Sequence, residues 1–429
     1  MKRTHAALFT LFALLAGACG GGSNGGERAG KPDITMWVAW SGPELEVFKG
    51  VVAGFERREG VRVEIVGDQN DTAKLIAAIQ AGNGPDLDAN FQGEQLGRFC
   101  EEGAYADLNH RLAEGGIDVD TFTPVAQAAT AFGGKRCALP YMADTFGLYY
   151  NKDLFRKAGI QQPPRTMTEL TETARRLTER NADGSIEVAG FVPLMNFYQN
   201  YVVRFAPLFG ARYFDDSGRP GLASEQWRRL FTWQKSLVDF YGHDNIRTFA
   251  AGAGQEFSAS HAFQAGKVAM MLDGEWRTLA IAEENPALAY GTAPLPVDEA
   301  HPELYGASQV GMGLLVIPRG AKNPDLAFGL ARYLAVDTEP LIAMANGLHN
   351  IPTTKAALAS PELQGGDNFG PFLTAAGHPL SSVPPIVVQG SYFEPISGFA
   401  ERWQSGAVTD LDAGLAEVDK QISAILSQD

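Results

Sequence analysis

Residues 34–91 alternate short apolar runs with amphipathic stretches, and few folds accept that alternation. "ITMWVAW" reads as a strand buried on both faces. "SGPELEVFKGVVAGFERREG" reads as a helix. Ser41 or Gly42 can cap it, Pro43 suits its first turn, and Leu45, Phe48, Val52 and Phe55 share one face. "VRVEIV" predicts a second strand, "DTAKLIAAIQAG" a second helix closed by Gly82, and "PDLDANF" a third strand. The order β-α-β-α-β is that of a parallel sheet with helices on both sides.

In open α/β sheets ligands sit outside the carboxyl ends of the strands. Those ends carry Trp40 and Ser41, then Asp68 to Asp71, then Phe91, Gln92 and Glu94. Three distant segments should therefore line one rim of aromatic, amide and carboxylate groups, with no lysine or arginine among them. A phosphate or carboxylate ligand would call for cationic forks or a glycine-rich anion nest. The formal charge of −15 likewise disfavours nucleic acid and anionic lipid as partners.

The N-terminus reads as an address. Lys2 and Arg3 precede an apolar run from Ala6 to Leu15 that is well short of the ~20 residues of a spanning helix. Ala16, Gly17 and Ala18 suit a signal-peptide cleavage site. Cys19 directly after them resembles a bacterial lipobox, whose cysteine becomes the lipidated first residue. The usual Leu three places before the cysteine is Ala16 here, with Leu15 one step further out. An ordinary secretory signal with an incidental Cys19 is the alternative. Gly20 to Gly30 then has the composition of a flexible tether. The remaining cysteines, Cys100 and Cys137, either form a disulfide in an oxidising compartment or stay as two buried thiols.

Motifs for chemistry are missing. "QAGKVA" lacks the leading glycine and following hydroxyl of a P-loop, and no H-E-x-x-H, G-x-S-x-G or zinc-spaced Cys/His set occurs. "NADGSIE" suggests a calcium loop but lacks its spacing and reads as a hairpin turn.

An ordered set of segments carries a family resemblance: "AGNGPDL", "LPYMADTFGLYYNKDLFRKAGI" followed by "PPRTMTEL", "FQAGKVAMMLDGEW", and "IPRGAKNPDLAFGLARYL". With the lipobox and the C-terminal helices, the chain resembles the maltose-binding-protein-like sugar-binding lipoproteins of bacterial ABC importers. The resemblance implies a two-lobed α/β periplasmic-binding-protein-like fold, each lobe a mostly parallel sheet flanked by helices. It implies crossing segments near Met142 to Phe146, Tyr305 to Val310 and Ser360 to Gly366. The expected division is a signal peptide at 1–18, a tether at 19–31, lobe 1 at 32–143 and 308–360, and lobe 2 at 144–307 and 361–429.

The resemblance also implies a carbohydrate ligand, membrane permease subunits as partners and a monomer, with no catalytic residue, metal or cofactor. Residue by residue, Phe91, Gln92 and Glu94 fall in the loop that touches sugar hydroxyls in the family. Asp144, seven positions before Asn151, holds the place of a family acid, and Asp273 and Trp276, which closes the turn after it, are further ligand candidates. Asn196 and Tyr198 are candidates from the second lobe, and His349, Asn350 and Tyr392 match less closely. Such side chains suit a sugar: carboxylates and amides satisfy hydroxyls, each costing ~1–3 kcal/mol if desolvated and unpaired, and flat rings cover apolar C–H faces. Two other readings stay open: Glu94 and Asp144 as the paired carboxylates of a glycosidase, and acid plus aromatic as a polyamine site.

Overall fold

The structure, a computed structural model, describes residues 32–427 except 92, 257, 259 and 388–391. Cys19, the signal segment and the tether lie outside the described residues, as does Gln92.

Strand β1 (Ile34–Val38) pairs in parallel with β2 (Val63–Val66) on one side and β3 (Leu87–Asn90) on the other. Its burial alternates rather than covering both faces. Ile34, Met36 and Val38 are in the core, while Thr35 and Trp37 are half-buried. The ammonium of Lys74 covers the Trp37 ring at 5.4 Å. Helix α1 (Gly42–Glu59) packs Phe48, Val52 and Phe55 inward and ends at Gly60, whose φ of 69° is the left-handed stop that glycine allows. Helix α2 (Thr72–Gln80) is capped by Asp71, whose carboxylate accepts the Lys74 N–H at 3.1 Å. Cys100 and Cys137 are joined by a disulfide.

The strand Leu139–Asn151 is 13 residues long and serves both lobes. From Leu139 to Thr145 it pairs antiparallel with the strand Val310–Val316. From Phe146 to Tyr150 it pairs with the strand Val268–Gly274, and from Leu148 to Asn151 with Tyr290–Ala293. The change of partner falls between Thr145 and Phe146. The sheet is consequently mixed. Parallel pairing joins β2, β1 and β3 in the first lobe and Ile186–Phe191 with Val268–Gly274 in the second. Strands that return through the hinge run antiparallel to the crossing strand, because the chain reverses to re-enter the sheet.

The chain crosses again beside this point, where Ser308 Oγ accepts the Phe146 N–H at 3.2 Å. A third passage lies between the helix Lys355–Leu358 and Phe372, whose carbonyl accepts the Thr145 hydroxyl at 3.2 Å. One stretch departs from the expected division. Residues 382–387 run back along the hinge, with Val310 donating to Ser382 at 2.8 Å. A Cβ on Gly97 would lie 2.3 Å from the Val387 carbonyl oxygen, so this segment rests on the first lobe's backbone. "NADGSIE" is the turn between Glu179–Arg180 and Ile186–Phe191, closed by Asp183 accepting from the Ser185 N–H at 2.9 Å.

Candidate ligand-binding cleft

The strand ends meet as the sheet topology requires. Trp40, at the end of β1, lies 5.9 Å from Phe91 after β3 and 5.7 Å from Tyr141 on the crossing strand, ring centre to ring centre. Asp68 donates its N–H to the Trp40 carbonyl at 2.9 Å, which folds the loop after β2 against the same group. Ser41 starts α1 without a side-chain cap bond, and its side chain is exposed. Glu94 stands beside a cavity of about 90 Å³ also lined by Phe91, Gln309, Met312, Pro384 and Ile386, and burial raises its carboxyl above the ordinary value.

The second lobe supplies another aromatic group. Trp276 meets Phe146 edge-on at 5.7 Å. The Arg204 guanidinium lies 3.9 Å from the Phe146 ring centre and 4.8 Å from that of Tyr201, which is 40% exposed. Burial lowers Arg204 to about 10, which still leaves it charged at neutral pH. Gly274 makes room for Trp276: a Cβ at Gly274 would lie 2.1 Å from its six-membered ring. Trp276 Nε1 is buried and has no hydrogen-bond partner among the described residues.

Asp144 lies between Tyr141 of the first group and Phe146 of the second along the crossing strand, next to the change of strand partner. Its Oδ1 accepts from Asn350 at 2.9 Å. The lobes also touch through Thr278 Oγ1 and His349 Nδ1, 3.0 Å apart. His349 holds φ 50° as the left-handed residue ending the helix Thr338–Leu348, and burial lowers its pKa.

Four of the candidate residues are engaged with other parts of the protein. Asp273 is fully buried and bonded to the equally buried Arg277 at 2.7 Å, four residues along the same turn. Tyr392 is 0% exposed, packs among Tyr213, Phe214 and Phe393, and donates its hydroxyl to the Pro385 carbonyl at 2.9 Å. Asn196, at φ 68°, donates its amide to Glu401 at 2.7 Å. Tyr198 bonds the carbonyl of Ala253 and the N–H of Ala262 and stacks on His261.

The structure adds Tyr201, Arg204 and Glu275 to the residues gathered here. The aromatic-basic pair "YVVR" at 201–204, just past the weakly matched "PLMNFYQN", was the available signal for the first two. Glu275 had none beyond its place beside Trp276.

A family model described as bacterial extracellular solute-binding protein matches residues 50–370. A maltotriose-binding protein of Pyrococcus abyssi is 27% identical over 359 residues, covering 82% of this chain and 73% of its own length. The maltodextrin-binding protein MdxE of Bacillus subtilis is 25% identical over 99% of this chain and 95% of its own. Among solved structures, CpMnBP1 with mannotriose bound superposes with a TM-score of 0.79 at 28% identity, covering 91% of this chain and 99% of that one. The sugar-binding protein MalE of Xanthomonas citri has the same fold at a TM-score of 0.76 and 21% identity, over 92% of this chain and 97% of its own.

Proposed function

The chain belongs to the bacterial extracellular solute-binding proteins, and from that membership we propose that it captures a di- or oligosaccharide between its lobes and passes it to the membrane permease of an ABC importer. Membership makes it a binding protein and not a glycosidase, so Glu94 and Asp144 are read as hydroxyl partners. The observation that carries the sugar reading is the pair of aromatic groups on opposite lobes with Asp144 between them. Relatives named for maltotriose and maltodextrin, and a similar structure holding mannotriose, support the same ligand class.

The proposed ligand residues are Trp40, Ser41, Phe91, Gln92, Glu94, Asp144, Tyr201, Arg204, Trp276 and His349. Arg204 counts against a polyamine, since a buried cation would face it. We take the lobes as 32–143 with 308–360 and 144–307 with 361–429, save that 382–387 rests on the first lobe. The protein acts as a monomer. Ligand entry requires the lobes to part about the crossing strands.

Maltotriose and mannotriose serve as probes. At least one is expected to raise the melting temperature, compact the protein in solution scattering, and be recovered chemically intact. If neither these nor a wider oligosaccharide panel shifts the melting temperature, the sugar reading is wrong.

Cys19 is proposed as the lipidated residue that holds the body to the outer face of the cell membrane through the tether. Cys19→Ala is expected to move the protein from the membrane to the soluble fraction with its sugar affinity unchanged. Persistent membrane association of that variant would remove the anchor.

A further inference from the structure

Two carboxyl groups meet at the hinge around one amide. Asn350 Nδ2 donates to Asp144 Oδ1 at 2.9 Å and to Glu275 Oε1 at 3.0 Å. The other oxygen of Glu275, Oε2, accepts the Thr145 N–H at 2.8 Å. Glu275 is 0% exposed. Each partner is anchored differently. Asn350 precedes Ile351, which pairs with Ala143 on the first lobe, and Glu275 follows Gly274, which pairs with Phe146 on the second. A neutral amide shared by two carboxylates cancels neither charge. Glu275 is excluded from water while Asp144 is half-buried, and a second charge on Glu275 beside that of Asp144 cannot persist there, so one group retains a proton.

We propose that Glu275 is a positioning residue of the cleft: it keeps its proton as the neutral acid, donates a hydrogen bond to Asp144, and leaves Asp144 as a fixed carboxylate for a ligand hydroxyl. The binding consequence rests on the reading of Asp144 as a ligand residue, whereas the protonation of Glu275 does not depend on any ligand.

The surrounding charges favour this placement of the proton. Asp144 faces Arg204 from the helix Val202–Phe205, Glu44 from α1, and Tyr141 on its own strand. Burial raises Asp144 to about 6, with Arg204 and the bond from Glu275 pulling it down. Glu275 faces Asp144 and Tyr149 of the crossing strand and the amide of Asn350. Burial, then the charge of Asp144, raises it well above the ordinary value of 4.5. Asp273 and Arg277, on either side of it in sequence, neutralise each other, and His349 beside Asn350 is bonded to Thr278. The cation therefore favours charge on Asp144, and the proton goes to Glu275.

Folded Glu275 holds its proton more tightly than the unfolded chain does. Its contribution to stability is therefore complete below pH 4.5 and declines as pH rises from there through the folded pKa. Glu275→Gln, a neutral isostere that keeps a carbonyl for Thr145 and an N–H for Asp144 but gives up the oxygen that accepts from Asn350, is expected to remove that decline.

In ligand-free protein with carbon-13-labelled glutamate carboxyls, NMR at neutral pH should show one carboxyl in the protonated position, absent from Glu275→Gln. At neutral pH the Gln variant, which loses only the contact from Asn350, should melt well above Glu275→Ala. With mannotriose and maltotriose as probes, Glu275→Gln should bind within about threefold of wild type and Glu275→Ala about tenfold or more weakly. Finding every glutamate ionised at neutral pH, or Gln as damaging as Ala in melting, overturns the proposal. Normal NMR and pH results with no binding of either sugar would leave the protonated Glu275 standing and defeat the sugar reading instead.

Discussion

Asp273→Ala is expected to lower the stability of the ligand-free protein by about 3–5 kcal/mol, because it strands a buried guanidinium. Asp273 and Arg277 are bonded at 2.7 Å with both side chains fully excluded from solvent. Asp273 Oδ1 also accepts the Gly274 N–H at 2.8 Å, and Arg277 donates to the Glu256 carbonyl at 2.9 Å. Burial works against the charge on Arg277, and Asp273 more than offsets it. Removing the carboxylate takes away that compensation and leaves the desolvation cost. Replacing both residues with apolar ones of similar volume should recover much of the loss, since the pair as a whole contributes little beyond cancelling its own burial. Urea unfolding of the two variants measures both effects. A variant lacking Asp273 that unfolds like wild type but no longer binds sugar would return Asp273 to the ligand site.

Trp276→Ala is expected to act on binding instead. Removing a ring that covers a sugar face should cost ~1–3 kcal/mol, roughly fivefold to 150-fold in affinity. The stability of the free protein should change little, because Trp276 is only half-buried. Its buried, unpartnered Nε1 adds a donor that a ligand hydroxyl can satisfy. Gly274→Ala tests the same platform without removing it. The added Cβ would meet the indole at 2.1 Å and push it aside, so affinity should fall while the ring itself remains. Titration calorimetry with whichever sugar binds wild type decides the matter. Equal affinity in Trp276→Ala would place the stacking surface elsewhere.

The contrast between Asp273 and Trp276, three residues apart, shows where sequence reasoning loses its hold. Asp273 lies in the strand Val268–Gly274 and Trp276 just past it, and both have chemistry that suits a sugar. Only the folded chain shows that Asp273 turns to Arg277 in the core while Trp276 lies over Gly274 and against Phe146. Tyr392 misled for the same reason. An aromatic near the C-terminus looks alike whether it packs in a core or faces a ligand.

The alternating periods of residues 34–91 by themselves determined the β-α-β-α-β order and the gathering of Trp40, Asp68 and Phe91 at one edge. That follows because side-chain direction along a strand or helix is set by local backbone geometry. The spacing of Asp144 before Asn151 located the acid at the crossing through the family resemblance. Tertiary structure alone decided which charges meet. Asn350 reaches Asp144 across 206 residues and Glu275 across 75, and Arg204 covers Phe146 from a separate helix. Local periodicity marks a position as buried, but Coulomb energies and desolvation depend on three-dimensional neighbours, and those exist only once both lobes have closed around the hinge.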